Sequence, residues 1–411
     1  MSRINVLYIS YDGMTDPLGQ SQVLPYLEGL TKKRYAFHLI SFEKPERFET
    51  GKDIIAKRCE KAAISWHPQI YTKKPPLIST LKDIRKMFNV AFELHRQHAF
   101  QIIHCRSYVA ALVGQIMKKK FQTKFVFDMR GFWADERVEG NIWKLSNPIF
   151  KWAYHYFKRK EIQYFREADY TISLTENGAN EIRSWKKLQD QELAIEVIPC
   201  CVDLDLFNPA NINPHQKREL KRSLGISSND MVMGYVGSIG TWYMLDEMLD
   251  FFKVQADRYP RLKFLFVTGE QPTSIIQIAA EKGIDTEKLI FTSTVHKYVP
   301  LHLSLFDFSI FFIRPTFSKK ASSPTKQGEL MAMGIPIICN AGVGDTDLVV
   351  ERYQSGKVLN KLTPLAYENV TLDFTAFKAT ELRKGAEAFF SLSEGVDRYG
   401  RVYSRVLSIN A

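Results

Sequence analysis

The chain has 411 residues, of which 45% are hydrophobic and 25% charged, so it has room for two globular domains and the composition of a soluble protein. No run of about 18 apolar residues occurs, which argues against a membrane-spanning helix. The first residues, Met1–Ser10, lack the cleavage site of a signal peptide and indicate a first β-strand.

The five cysteines show no C-x-x-C spacing, and two of them are adjacent. They are Cys59, Cys105, Cys200, Cys201 and Cys339. We therefore expect buried free thiols in a reducing cytoplasm rather than a disulfide framework or a metal site.

The net charge of +11 is unevenly distributed along the chain. Residues 1–200 hold 32 Lys and Arg against 22 Asp and Glu, whereas the remainder holds 24 against 23. The basic half is therefore expected to meet an anionic partner, which could be a phosphate, a nucleic acid or a membrane surface.

Short apolar runs alternate with amphipathic stretches in the first half of the chain, which predicts a parallel, doubly wound α/β sheet. The predicted strands are Ile4–Ser10, Ala36–Phe42, Ile102–Cys105, Lys124–Asp128, Tyr170–Leu174 and Ala194–Ile198. The predicted helices are Ser21–Thr31, Ile78–His98 and Ser107–Lys119.

The same alternation restarts at Met231, which predicts a second domain of similar size. Its predicted strands are Met231–Gly237, Lys263–Thr268, Leu289–Phe291, Phe308–Phe312 and Pro336–Asn340, and its helices include Tyr243–Arg258 and Ser274–Lys282. The polar segment Asn208–Asp230 is predicted to join the domains. Ligands of such sheets bind beyond the carboxyl ends of the strands, so two facing sheets would share a cleft.

The first strand runs into a loop that contains Gly13 and Gly19, and Gln20 or Ser21 then opens a helix. With Asp12, these residues could receive a phosphate or a sugar, because the start of a helix presents backbone N–H groups. An ordinary β–α loop is the alternative. The loop does not match G-x-G-x-x-G, so a dinucleotide site is poorly supported.

Polar side chains also follow two later strands, at the expected ligand-binding edge. They are His104, Arg106, Asp128, Arg130, Asp135, Glu136 and Arg137. So many charges near apolar residues favour a network that binds a polyol and a phosphate. The alternatives are a solvated loop with local ion pairs and, for His104, a core or capping role.

The most informative segment is Phe311–Asn340. A basic, Ser-rich loop contains Arg314, Lys319, Lys320, Ser322, Ser323 and Thr325. A helix is predicted to start near Pro324 with Ser323 as its N-cap, and Lys326 and Glu329 share one of its faces. This arrangement suits a diphosphate at Lys326 and ribose hydroxyls at Glu329, although a solvated Lys/Glu pair is the alternative.

Two further turns of the second domain are candidates for the same ligand. Gly237, Ser238 and Gly240 follow its first predicted strand, and Thr268 and Gly269 follow the next. Glycines at such turns permit close approach of a ligand to the backbone, but a tight β–α turn would explain them as well.

Taken together, these segments resemble glycosyltransferase family 4, the retaining GT-B enzymes, over nearly the whole chain. Asp12–Leu24 is similar to the first glycine loop of the family, and Glu196–Pro209 to its V-I-P-N-G-V-D-x-x-x-F-x-P linker. Gly234–Gly240 resembles the first strand of the donor domain, and Ser323–Glu329 with Gly334–Ile338 resembles the nucleotide-sugar helix. Residues 389–407 resemble the C-terminal helix that crosses back onto the first domain. The resemblance implies an acceptor domain at 1–207, a donor domain at 208–388 and a crossover helix at about 389–411.

Some positions depart from the family pattern. Ala321 replaces the first of two family glutamates, while Glu329 matches the second, which would hold the donor ribose. Ser238 and Tyr243 stand where the family often has Arg and Lys, and Cys200 and Cys201 change the linker. The diphosphate would then be met by Lys326, with Arg314 or Arg130 as candidates.

The resemblance implies that a hexosyl group passes from a nucleoside diphosphate sugar to an acceptor with retained configuration and without a metal. His104, Arg130, Asp135, Glu136 and Lys326 are the candidate catalytic residues, and the loop around Gly13 with Arg106 is the candidate acceptor side. Cations and a helix N-terminus would stabilise the leaving diphosphate.

Basic stretches interleaved with aromatic residues occur at 118–124 and 151–160. This composition suits docking on an anionic membrane face, so we expect a lipid-linked acceptor of envelope polysaccharide assembly, with a solvated basic surface as the alternative. A nucleotide-sugar 2-epimerase of the same architecture and a non-catalytic nucleic-acid-binding protein remain rival functions. No zinc pattern or RNA-recognition motif supports the latter.

Overall fold

The computed structural model describes residues 3–75 and 78–408 as two compact units. The first unit comprises Met1–Pro199 with Leu392–Ala411, and the second comprises Cys200–Ser391. The predicted join at Asn208–Asp230 is wrong, because that segment lies inside the second unit and the chain passes between the units at Pro199 and Cys200. The five cysteines, all within the described ranges, are buried free thiols.

The described part of the first unit contains a seven-stranded sheet in the order β3-β2-β1-β4-β5-β6-β7, and every pairing is parallel. Its strands are β1 (Ile4–Ser10), β2 (Tyr35–Glu43), β3 (Ile64–Ile70), β4 (Ile102–Arg106), β5 (Lys124–Asp128), β6 (Tyr170–Ser173) and β7 (Ile195–Val197). The central strand β4 is buried along its whole length, as expected for a parallel strand covered on both faces.

Helices connect these strands, and one more arrives from the end of the chain. They are α1 (Pro17–Gln22), α2 (Leu24–Thr31), α3 (Pro45–Lys61), α4 (Ile78–His98), α5 (Ser107–Phe121), α6 (Trp133–Glu139), α7 (Pro148–Glu167), α8 (Glu176–Ser184) and α17 (Leu392–Ser408). In α4 the buried residues Asp83, Met87, Ala91 and Leu94 recur every three or four positions, so one stripe of the helix faces the core.

The predicted helix near 389–407 is α17, and it belongs to the first unit. Tyr403 Oη lies 2.7 Å from His104 Nδ1, and Tyr399 Oη donates to Asp128 Oδ2 at 3.2 Å. These bonds tie the helix to the ends of β4 and β5. Residues 409–411, which the prediction also included, lie outside the described residues.

The described part of the second unit contains a six-stranded parallel sheet in the order β10-β9-β8-β11-β12-β13. Its strands are β8 (Met231–Val236), β9 (Leu262–Val267), β10 (Leu289–Thr292), β11 (Phe308–Phe311), β12 (Ile337–Asn340) and β13 (Gly356–Leu359). Its helices are α9 (Pro214–Ser223), α10 (Leu245–Arg258), α11 (Pro272–Glu281), α12 (Val299–Leu303), α13 (Thr325–Ala332), α14 (Thr346–Arg352), α15 (Pro364–Glu368) and α16 (Ala379–Phe390). Both predicted parallel α/β sheets are therefore present.

Three histidines lie against one another beside β2 and β3. His38 Nδ1 lies 3.1 Å from His67 Nε2, and the rings of His38 and His98 are 4.0 Å apart. Burial, together with the neighbouring imidazoles, lowers the pKa of His38 to about 4 and also lowers the pKa of His67. The folded first unit thus excludes protons that the unfolded chain would bind between about pH 4 and about pH 6.5.

We therefore predict that stability falls as the pH is lowered through this window, and that His38→Asn makes the fall shallower. The unfolded state gains protons there while folded His38 does not, so acid favours unfolding. Urea unfolding midpoints of the wild type and the variant at about pH 7 and about pH 5 measure the effect. An equally large drop in both proteins would contradict the prediction.

Candidate functional site

The turn after β8 contains Gly237, whose φ of 102° requires a residue without a Cβ. The backbone N–H groups of Ile239 and Gly240 donate to Glu270 Oε1 at 2.7 and 3.2 Å. A carboxylate therefore already occupies backbone donors that the glycine pattern offered to a ligand. Thr268 Oγ1 accepts from the Glu270 N–H at 3.2 Å, which places Thr268 and Gly269 in the support of this turn.

Lys326 lies in the first turn of α13, and its Nζ is buried without a hydrogen-bond partner. The rings of Tyr243 and Tyr235 cover it, with centroids 3.7 and 4.0 Å from Nζ. A Cβ at Gly237 would stand 3.5 Å from the same atom, so Lys326 reaches the turn after β8. Burial lowers the pKa of Lys326 well below its usual value, and Glu329 opposes this only in part. An anion brought to Nζ would supply the partner that it lacks.

Glu329 lies one turn further along α13, as predicted, and its side chain is 12% exposed. Its Oε1 is 3.6 Å from Nε2 of His296, which is too long for a hydrogen bond. The carboxylate can therefore accept from hydroxyl groups of a ligand. His296 follows β10, and nothing in the sequence singled it out.

The predicted cap of α13 is wrong. Pro324 occupies the N-cap position, and no side chain caps the helix. The Oγ of Ser323 instead accepts from the backbone N–H of Cys200 at 3.1 Å. Ser322 and Thr325 are half-buried beside the first turn of the helix.

The remaining donor candidates differ in exposure. Arg314 is exposed, and its backbone N–H donates to the Trp242 carbonyl at 3.0 Å. Lys319 is buried with its Nζ 3.7 Å from the Trp242 ring centroid, and Ala321 is fully buried. Two consecutive aromatic residues, Trp242 and Tyr243, thus cover Lys319 and Lys326. We call this pair the strap. Sequence reasoning noted Tyr243 only as a departure from a family pattern.

In the first unit, the loop after β1 is held by Glu43 at the end of β2. This buried carboxylate accepts from the backbone N–H groups of Met14 and Thr15, at 2.8 and 3.0 Å, and from Thr15 Oγ1 at 2.6 Å. A Cβ at Gly13 would come within 2.7 Å of Glu43 Oε2, so the loop packs too closely for any other residue. Sequence reasoning missed Glu43, since an acidic residue that ends a strand gave no signal.

Gln20 and Ser21 do not open the helix after this loop, because α1 begins at Pro17. Both lie within that helix. Gln20 Nε2 donates to the Thr15 carbonyl at 3.2 Å, and Ser21 Oγ donates to the Pro17 carbonyl at 2.9 Å. Gly19 is buried against the loop, and Asp12 is exposed. The side chains of Gln20 and Ser21 thus bond to backbone carbonyls of the loop and of α1 itself.

The ends of β4 and β5 bring two guanidinium groups toward one buried carboxylate. Arg106 is 2% exposed, with Nε 3.5 Å from Asp12 Oδ2 and Nη1 4.0 Å from Asp128 Oδ2. Arg130 Nη1 lies 3.8 Å from Asp128 Oδ1. Burial alone would raise the pKa of Asp128, but Arg130, His104 and Arg106 lower it instead. Arg130 has a φ of 58°, a strained conformation of the kind found at functional sites.

His104 is 1% exposed and stacks on Tyr8 with ring centroids 4.4 Å apart. Burial lowers its pKa, against the pull of Asp128. Because one nitrogen meets Tyr403 and the other faces Asp128 at 3.5 Å, the geometry favours the alternative core role over contact with an acceptor.

Asp135 and Glu136 lie in the first turn of α6. The Asp135 carboxylate accepts from Tyr154 Oη at 2.9 Å and pairs with Lys158 Nζ at 2.7 Å, so it joins α6 to α7. Glu136 is half-buried. Asp135 is therefore engaged by local contacts inside the unit, as the alternative of local ion pairs expected.

Residues 21–206 match the model of Glycosyltransferase Family 4. No curated protein sequence matches the chain at a significant level. Within the described residues, no helix is long and apolar enough to cross a membrane.

Solved structures match over nearly the whole chain. A sucrose-phosphate synthase from Thermosynechococcus elongatus is 15% identical with a TM-score of 0.75, covering 99% of this chain and 100% of its own. HepE from Anabaena, in complex with UDP and glucose, is 16% identical with a TM-score of 0.69, covering 98% and 100%. A UDP-GlcNAc 2-epimerase from Neisseria meningitidis is 11% identical with a TM-score of 0.58, covering 98% and 100%. At these identities the matches show the fold, which is that of GT-B glycosyltransferases. The chain thus matches the Glycosyltransferase Family 4 model over residues 21–206, and over nearly its whole length it has the GT-B fold.

Proposed function

We propose that this glycosyltransferase transfers a hexosyl group from a nucleoside diphosphate sugar to an acceptor, with retention of the anomeric configuration and without a metal ion. The observation that carries the proposal is Lys326, a buried ammonium with no hydrogen-bond partner at the start of a helix and beside Gly237. A diphosphate is the ligand whose charge and oxygens fit this position.

The second unit would then bind the donor. As the glycosidic bond breaks, negative charge gathers on the leaving diphosphate, and Lys326 with the uncapped start of α13 would stabilise it. Burial lowers the pKa of unliganded Lys326, so arrival of the diphosphate would favour its protonated form. Ser322, Thr325 and Arg314 are proposed as further donor contacts.

A UDP-sugar is the donor that we propose first. The structure of HepE was determined with UDP and glucose and with UDP-glucose, and this chain shares its fold. Glu329 is proposed to accept hydrogen bonds from the two ribose hydroxyls, since its carboxylate has no hydrogen bond to His296 and stays partly exposed.

The first unit would hold the acceptor. Asp12, Gly13, Gly19, Gln20 and Ser21 are proposed to form its loop, and Glu43 would position that loop through Met14 and Thr15. Arg106 and Arg130 are proposed to face an anionic group, with Asp135 and Glu136 as further polar groups. In a retaining transfer, the departing diphosphate would take the proton of the attacking hydroxyl on the same face of the sugar.

The acceptor is proposed to be a lipid-linked or envelope polysaccharide intermediate, met by a cytoplasmic protein on the inner face of the cell membrane. The basic excess of residues 1–200 and the buried free thiols support this part of the proposal. A 2-epimerase also shares the fold. Formation of a glycoside product that depends on added acceptor would separate the two, because an epimerase needs no acceptor.

We predict that Lys326→Met abolishes the rise in melting temperature that UDP causes in the wild type, since the variant cannot meet the diphosphate. The ligand-free variant should itself melt higher, by about 2–4 °C for each kcal/mol relieved. The reason is that the lowered pKa of Lys326 makes its burial costly at every pH below its usual pKa. A thermal-shift assay measures both effects.

Lys320→Met is the matched control, because Lys320 is exposed six residues earlier. This control should keep the full response to UDP. A normal UDP response in Lys326→Met would sink the proposed donor site.

We further predict that the wild type binds UDP more tightly than 2′-deoxy-UDP, by about tenfold to a hundredfold, and that Glu329→Ala removes this preference. The 2′-hydroxyl would lose its acceptor in the variant, at the cost of about one hydrogen bond to a charged group. Titration calorimetry with both nucleotides measures the ratio. Glu281→Ala, on exposed α11, should keep the preference, and a preference that survives in Glu329→Ala would place the ribose elsewhere.

A further inference from the structure

Four large apolar side chains are exposed within one short segment of the first unit. Ile142, Leu145, Ile149 and Trp152 are 53%, 38%, 58% and 62% exposed. We call these four residues the Ile142–Trp152 patch. Isolated exposed apolar residues are common on proteins, but a group so close in the chain indicates a surface that binds a protein or a membrane.

The patch is held in place by buried neighbours. Between its members, Trp143 is buried and packs against Trp133 and Phe157, with ring centroids 5.1 and 6.2 Å apart. Asn147 caps α7 by accepting from the Ile149 N–H at 2.9 Å. The apolar side chains are therefore displayed by a fixed turn and the first helical turns of α7.

The exposed face of α7 continues the patch. Trp152 stacks on Tyr156, with centroids 5.4 Å apart and an angle of 16° between the rings. Ala153 and Phe157 are buried, so they belong to the face of α7 turned toward the core. The helix is thus apolar on two faces, and only one of them is covered within the unit.

Positive charge surrounds the patch. Residues 140–160 contain five Lys and Arg and no Asp or Glu. Lys144, Lys151 and Arg159 are exposed, whereas Lys158 pairs with Asp135 and Lys160 donates to Gln115. The cations that remain at the surface are therefore the ones next to the exposed apolar residues.

The other basic stretch named from the sequence is arranged differently. Lys118 pairs with Asp169 at 2.9 Å, Lys119 with Glu167 at 3.0 Å, and Lys124 lies 3.8 Å from Asp169. These lysines neutralise carboxylates of the same unit, which leaves less of their charge for a partner.

We propose that the Ile142–Trp152 patch, with Lys144, Lys151 and Arg159, docks the first unit on an anionic lipid bilayer. Trp and Ile enter the boundary between headgroups and acyl chains, while Lys and Arg extend their stems along apolar surface and meet lipid phosphates. The inference rests on the proposed lipid-linked acceptor. It names the surface through which the first unit would bind the membrane that carries this acceptor.

Sedimentation of the full chain with vesicles tests the proposal. The wild type should bind vesicles of phosphatidylcholine with phosphatidylglycerol, and bind phosphatidylcholine alone more weakly. Ile149→Ser with Trp152→Ser should lower the affinity at least about tenfold, because both side chains would remain in water. Lys144→Glu with Lys151→Glu should lower it roughly tenfold for anionic vesicles only, and added salt should reduce this difference.

Ile54→Ser is the matched control, since Ile54 is 68% exposed on α3 of the same unit. It should bind vesicles like the wild type. Equal binding by the wild type and the Ile149/Trp152 variant would overturn the proposal. So would a wild-type dimer in sedimentation velocity that this variant abolishes, because the patch would then be covered by a second copy.

The UDP thermal shift of the same variants distinguishes a failure of this inference from a failure of the proposed donor site. Vesicle binding that depends on the patch, together with no response to UDP in any protein, would leave the docking surface standing and remove the proposed donor. An intact UDP response without vesicle binding would remove the docking surface alone.

Discussion

The side-chain nitrogen of Lys326 is buried without a hydrogen-bond partner, next to the turn at Gly237 and the ring of Tyr243. Taking a cation out of water is costly unless an anion or several acceptors surround it, and this one has only the faces of Tyr235 and Tyr243. The fold tolerates that cost because α13, the turn at Gly237 and the strap that carries Tyr243 are each fixed by other bonds. One of these is the backbone bond from the Met244 N–H to the Phe312 carbonyl, at 2.9 Å. Burying Lys326 without a partner lowers the stability of the fold, and a ligand that brings a negative charge to it would recover this free energy on binding.

In the first unit, the buried carboxylates of Glu43 and Asp128 have hydrogen-bonding or charged partners. Glu43 is also buried, yet it accepts three hydrogen bonds from the loop after β1, so it supports that loop. Asp128 lies near two guanidinium groups and accepts from Tyr399 of α17, which joins the ends of β4 and β5 to the helix. Glu43 thus fixes a loop of the first unit, whereas Lys326 of the second unit has no hydrogen-bond partner.

Much of this architecture could be predicted from the sequence, because parallel strands are buried on both faces and appear as short apolar runs. Strands β1 and β5 and helix α4 have the predicted bounds. Strand β3 was missed because it lies at the edge of the sheet and contains Pro68 and polar residues, which an edge tolerates and an apolar pattern does not reveal. The position of Lys326 and Glu329 one turn apart on one helix could be predicted because their spacing is local information. The bond from Cys200 to Ser323, the support from Glu43 and the aromatic cover of Lys326 join residues far apart in the chain, so no local pattern could show them.

Helix α17 has a bearing on how the protein is made. The second unit is continuous from Cys200 to Ser391, whereas the first unit needs Leu392–Ser408 to supply Tyr399 and Tyr403. During synthesis, the strands of the first unit leave the ribosome early but must wait for nearly the whole chain before His104 and Asp128 meet these tyrosines. The second unit can fold in that interval as an inserted domain. The first unit would therefore be completed last, after the second unit has already formed.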